Sequence, residues 1–142
     1  RKSRKEKMKD KKEIQQKLIE YQLLQQHIEN LQQQGSMLSQ QNSELSKLNE
    51  ALMNLENSKQ DKDIFSQIGQ GIFAKAVLKD TKEVLFNIGS DIFINKKIKD
   101  ANLIIENQQK EISESLMKLE EQLKRAISRI LELQEEIQNL KD

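Results

Sequence analysis

The sequence predicts a mainly α chain with a small β module: a long antiparallel two-helix coiled coil with two β-hairpins between the helices. Three observations predict it. Leucine recurs every seven residues at Leu24, Leu31, Leu38, Leu45 and Leu52. A second heptad seam follows near the other end, at Ile105, Ile112, Leu119, Ala126, Leu133 and Leu140. Between the two, residues 64–93 hold all four Phe, both Val, the only Thr and three of the four Gly. A block of strand formers is thus set between stretches of helix formers.

The first element is a helix over roughly 8–57, within a segment 1–57. With Tyr21 at position a, the a sites are Tyr21, Ile28, Gly35, Asn42 and Asn49, and the d sites are the five leucines. A sustained a/d pattern of this kind is the signature of a coiled coil. Residues 1–20 hold nine Lys/Arg and four Asp/Glu, whereas the rest of the chain has fifteen and nineteen. A basic arm therefore precedes a mildly acidic body. The sequence opens with Arg1 rather than Met, as a chain trimmed at its start would.

The second element is a β segment, 64–98, with an internal repeat at an offset of twenty. Ile68-Gly69-Gln70-Gly71-Ile72-Phe73 matches Ile88-Gly89-Ser90-Asp91-Ile92-Phe93. Each unit reads strand, tight turn, strand, because Gly, Ser and Asp supply turn chemistry. The strands are expected near 64–69 and 72–79, then 84–88 and 92–97, and they are read as a four-stranded sheet. Ile72, Ala74, Ala76 and Leu78 line one face, and Phe73 and Val77 the other. A sheet apolar on both faces, with open edges, invites other chains. Ile68, Ile72, Phe73, Phe86, Ile88, Ile92 and Phe93 are the expected oligomerisation residues.

The third element is a helix over roughly 101–140, in a segment 101–142, with Asp100 as the expected N-cap. Its a sites include Leu116, Leu123, Ile130 and Ile137. In an antiparallel pair, facing residue numbers add to a constant. A constant of 161 sets Leu24 against Ile137, Leu31 against Ile130 and Leu38 against Leu123. It also brings Gly35 to Ala126, predicting close backbone approach there, and leaves residues 1–18 overhanging.

Helix, two hairpins, helix, with turns at Gly69-Gln70-Gly71 and Gly89-Ser90-Asp91, resembles an archaeal-type α-class subunit of prefoldin. The likeness is most specific from Ile68 to Asp100 and extends over nearly the whole chain as architecture. Two hairpins look like the α class, since the β class has one. The resemblance implies two α-class and four β-class prefoldin subunits joined through their hairpins, with coiled coils hanging from a β body. It implies an ATP-independent holdase in the cytoplasm, whose coiled-coil tips capture unfolded proteins and deliver them to a group II chaperonin. No cofactor is implied.

On that reading the expected client contacts at the tips are Met8, Ile14, Leu18, Tyr21, Leu133, Ile137 and Leu140. For Leu133, Ile137 and Leu140, ordinary seam packing competes as an explanation. Lys5, Lys7, Lys9, Lys11 and Lys12 form a possible chaperonin contact, against which stands a solvated helix end. The alternative function is a filament-forming or structural spacer subunit assembled through its hairpins. A nucleic-acid coiled coil is disfavoured, because no aromatic residue interleaves the basic arm before Tyr21.

Other chemistries lack their residues. The chain has no Cys and one His, so it offers no thiolate, disulfide or His-cluster metal site. His27 falls at a solvated g site. Glu120, Glu121, Glu135 and Glu136 are spaced as a helix surface, and a two-helix rod offers no cleft for acid–base work. Ile-Gly-Gln-Gly-Ile lacks the Gly-Lys-Ser/Thr ending of a phosphate loop. Apolar runs reach only three residues, so no membrane span or secretory leader is expected.

Overall fold

The computed structural model describes residues 2–141. The order is α1 (Arg4–Glu56), β1 (Lys62–Gly69), β2 (Ile72–Leu78), β3 (Glu83–Gly89), β4 (Ile92–Lys97) and α2 (Ile98–Lys141). The chain divides into two compact units. One is Arg1–Gln40 with Ile112–Asp142, and the other is Gln41–Glu111.

α1 begins four residues earlier than its periodicity predicts, and the cause is a reciprocal cap. The Glu6 amide donates to Ser3 Oγ at 3.3 Å, and the Ser3 amide donates to Glu6 Oε2 at 3.2 Å. Ser3 is the N-cap and Glu6 the third helical residue, so the pair satisfies two amides that would otherwise lack partners. The Ser-x-x-Glu spacing is plain in the sequence. From Arg4 to Lys12 the basic arm is thus helical, about two and a half turns. Ser58 closes the other end, its hydroxyl donating to the Asn54 carbonyl at 2.8 Å.

The heptad pattern sets burial along α1. Leu31 and Leu52 are buried, and the remaining a and d residues from Tyr21 to Asn49 are half-buried. In the unit Gln41–Glu111, Leu52 packs with Ile98, Ala101 and Ile105, and Leu45, Leu55, Val84 and Phe86 close over them. The seam of this unit also contains Asn42, Asn49 and Asn102, whose side-chain oxygens are buried without a partner. Such groups cost stability and restrict the ways in which helices can pair.

The register differs from the expected one by a heptad. In the unit containing both chain ends, Lys17 meets Glu136 and Gln134 Nε2 donates to the Tyr21 hydroxyl at 3.1 Å. In the other unit, Gln109 Nε2 donates to Ser46 Oγ at 2.8 Å. Facing numbers therefore add to 153–155 rather than 161. Leucine against leucine survives a slip of seven, but these polar ties do not.

Two expectations fall with that slip. The overhang shortens to the residues before about Glu13, and Ile14 becomes a half-buried seam residue. Gly35 does not approach Ala126. A methyl group on Gly35 would meet nothing within 4 Å, and the residue opens onto a groove lined by Leu31, Leu119 and Leu123. A mid-helix glycine with free space around it is pure backbone cost. Gly35→Ala should therefore stabilise the chain by about 1 kcal/mol, read as a raised midpoint in urea unfolding. A lowered midpoint would mean that something packs on Gly35.

The β segment forms two two-stranded sheets, β1–β2 and β3–β4, not one four-stranded sheet. Ile64 pairs with Ala76 and Gln67 with Phe73 in the first; Phe86 pairs with Ile94 and Asn87 with Phe93 in the second. The register shifts just before each turn, at Ile68 and Ile88. The turns differ in detail. Gly71 alone has a positive φ (76°) in the first, as at the third position of a type II turn, whereas Ser90 and Asp91 are both left-handed (50° and 58°), as in a type I′ turn. The Asn87 carboxamide steadies the second by accepting from the Gly89 amide at 2.9 Å.

α2 starts directly after β4, at Ile98, whose amide donates to the Lys82 carbonyl at 2.8 Å. Asp100 is therefore inside the first turn and is not the N-cap. It still suits that place, since a carboxylate there faces the positive end of the helix dipole. The Asp80 carboxylate organises the link between the hairpins by accepting from the amides of Lys82 (2.8 Å) and Glu83 (3.2 Å).

Candidate interaction surfaces

The unit Gln41–Glu111 presents the hairpins. Strand alternation sends Ala74, Ala76, Leu78, Val84 and Phe86 inward to half-buried positions. The same alternation sends Phe65, Phe73, Val77, Leu85 and Phe93 outward, and Phe65 is 72% exposed. Ile68, Ile72, Ile88 and Ile92 stand at the turns, more than half exposed, and Ile94, paired with Phe86, is partly exposed. A monomer rarely leaves so much large apolar surface in water. Each hairpin also has two strand edges with unpaired backbone groups, and a lone two-stranded hairpin is marginal in water.

Of the expected oligomerisation residues, Ile68, Ile72, Phe73, Ile88, Ile92 and Phe93 are exposed on this surface. Phe86 is not; it packs on the unit's own core with Val84. Phe65, Val77, Leu85 and Ile94 also line the surface. For Phe65, Val77 and Leu85 the signal was present, because a period of two places them on the face of Phe73 and Phe93 once the pairing is known; Ile94 pairs with Phe86 and lies on the other face.

The second unit presents the far parts of the helices. Among the expected tip contacts, Leu133 is fully buried and Ile137 nearly so. Ile14, Tyr21 and Leu140 are half-buried, and Met8 and Leu18 are exposed. Besides Met37 and Met117, four exposed residues lie outside that set: Ile19, Leu23, Ile127 and Leu131. They form two i, i+4 pairs on outward helix positions, where apolar side chains contribute nothing to the seam. Lys5, Lys7, Lys9, Lys11 and Lys12 are all exposed on the arm, while Arg1 lies outside the described residues.

Ionic ties cross between the helices in this unit. Arg129 makes a two-pronged contact with Glu20, at 2.8 and 3.2 Å, and also reaches Glu132 and Glu136. Lys17 binds Glu136 from the other helix. The Arg129 hydrogen bonds hold the Glu20 carboxyl below its ordinary value of 4.5. Lys17 does the same for Glu136. A carboxyl depressed by folding contributes stability that is complete above pH 4.5 and is lost as pH falls through the folded value. The helical signal of the native protein should therefore melt at a lower temperature near pH 3 than at pH 7. Glu20→Gln with Glu136→Gln should flatten that dependence; an unchanged acid slope would remove these groups as its cause.

Among the described residues no group of His, Asp or Glu is placed to hold a metal ion, and no helix is long and apolar enough to cross a membrane.

The family profile described as prefoldin subunit matches residues 24–141. A similar fold is found in the cryo-EM structure of filamentous PFD from Methanocaldococcus jannaschii, with a TM-score of 0.72 and 18% identity, covering 80% of this chain and 93% of that one. No curated protein matches the sequence. Since the profile takes in both helices and both hairpins, the chain belongs to the prefoldin family of chaperone subunits.

Proposed function

We propose that the chain is an α-class prefoldin subunit that joins β-class subunits, two α with four β, and holds unfolded proteins without ATP in the cytoplasm. The observation that carries this reading is the pair of open-edged hairpins, apolar on their outward faces, on a chain whose helices leave Met8, Leu18, Ile19, Leu23, Ile127 and Leu131 in water. The first feature suits assembly. The second suits weak, sequence-tolerant contact with non-native chains, which several arms in one complex would turn into avidity. Two hairpins support the α class. Delivery to a group II chaperonin through Lys5, Lys7, Lys9, Lys11 and Lys12 is part of the same proposal.

The test is removal of residues 1–20 with 134–142, a cut that respects the observed register. The truncated protein should keep the native mass ratio with a β-class partner and lose its ability to suppress aggregation of a denatured protein. Undiminished suppression would overturn the tip reading. A second reading, self-assembly into filaments, is favoured by the filamentous PFD of similar fold. Light scattering separates the two: a defined complex with twice as many partner chains supports the first, and an open-ended polymer indifferent to the partner supports the second.

A further inference from the structure

Beside the seam, near the end of α2, Lys2, Lys7, Asp10, Lys11, Ile14, Leu140 and Lys141 line an open groove. Ile14 and Leu140 are half-buried and give it an apolar floor. Asp10 is already paired with Lys2. Lys7 and Lys11 pair with no carboxylate among the described residues. An i, i+4 spacing puts their ammonium groups on one side of α1.

The charge around this stretch of α1 is segregated. At about 100° per residue, Arg4, Lys5, Lys7, Lys11 and Lys12 sweep one continuous arc, and Glu6, Asp10 and Glu13 share the opposite one. Leu18, exposed, continues the groove side along the helix. A recessed apolar floor beneath two cations that meet no carboxylate among the described residues matches a bulky apolar side chain flanked by carboxylates. A nucleic acid would use the lysines and leave Ile14 and Leu140 idle. An anionic membrane calls for a broad, protruding apolar face, and this one is sunk between lysines.

We infer that this groove docks acidic amphipathic protein segments, giving the arm a charge preference among the chains it holds. The inference rests on the holdase reading above. It goes further in naming the chemistry that is selected.

The experiment uses the assembled full-length protein and short labelled peptides read by fluorescence anisotropy. One peptide alternates Glu and Asp with Leu and Phe; a second replaces each carboxylate by its amide; a third keeps the carboxylates and replaces Leu and Phe by Ser. The first should bind tightest. Its affinity should drop roughly tenfold in Lys7→Glu with Lys11→Glu, and fall similarly on raising salt to about 0.3 M. The amide peptide should be indifferent to both. Circular dichroism checks that the doubly substituted protein keeps its helicity, and Ile14→Ser should weaken the first peptide without touching salt dependence. Equal binding of the acidic and amide peptides overturns the inference, as does tighter binding of the Ser peptide, of an oligonucleotide or of phosphatidylserine vesicles. Failure to hold any denatured protein would instead overturn the holdase reading.

Discussion

Phe93→Asp is expected to take the assembled protein to a native mass near that of one chain, 16.6 kDa, while leaving the helices formed. Phe93 lies opposite Asn87 on the outward face of the β3–β4 hairpin and is half exposed within the chain. The chain's own core does not use it, because Val84 and Phe86 supply the packing on Leu52, Ile98, Ala101 and Ile105. In an assembly that covers the outward face, the new carboxylate loses water and gains no partner, a cost of several kcal/mol per interface. Ile72→Glu should act in the same way from the turn of β1–β2. Phe86→Asp is the informative contrast: it strikes the inward core and should lower helix stability itself. Light scattering and circular dichroism on the three variants read both quantities. A native mass unchanged in Phe93→Asp would remove the outward face from the interface.

Leu133→Ala should destabilise the helix pairing by about 2–5 kcal/mol, the usual range for deleting a buried leucine. Leu133 is the most deeply buried leucine of its unit, and the contact of Gln134 with Tyr21 fixes α1 over it. The lower half of that range is expected, since a two-helix seam can close over a lost side chain more readily than a globular core. Leu131→Ala, two residues away and well exposed, should change stability by less than about 0.5 kcal/mol. Urea unfolding of both variants decides the matter. Equal effects would mean that burial in the seam does not organise this unit.

The same two leucines show what the sequence could reveal. Heptad spacing identified Leu133 as a d residue, and the a and d residues are buried or half-buried along both helices. Strand alternation and the twenty-residue repeat placed the hairpins to within a residue or two. Pairing was harder to read. Apolar layers are degenerate under a shift of seven, so leucine patterns alone admit more than one register. The observed one brings Lys17 to Glu136 and Glu20 to Arg129, contacts that a search for leucine layers does not weigh. Strand adjacency is likewise not written in a period of two, and β2 and β3 turn out not to hydrogen-bond. For the sites, Phe86 and Leu133 share a residue type with their exposed neighbours. Only the partner across the seam or hairpin tells which of them faces water.

The hairpins also have a bearing on how the chain reaches this state. Each closes between residues a few positions apart, and the Ile98 amide ties the start of α2 to Lys82, only sixteen positions earlier. The helix contacts span far more chain: Ser46 and Gln109 are 63 apart, and Lys17 and Glu136 are 119 apart. Closing the longer of these from an open coil costs only about 0.6 kcal/mol more than the shorter, so the difference is one of timing more than of stability. Hairpins form in microseconds, and once they have formed the end of α1 and the start of α2 are held near each other. Each helix contact then shortens the search for the next, from Ser46 toward Lys17. On the ribosome the whole of α1 emerges before any of its partner strand or helix exists, so its leucine seam waits uncovered until synthesis has passed Ile98. A subunit of a chaperone family thus passes through a stage in which it presents the kind of surface that chaperones bind.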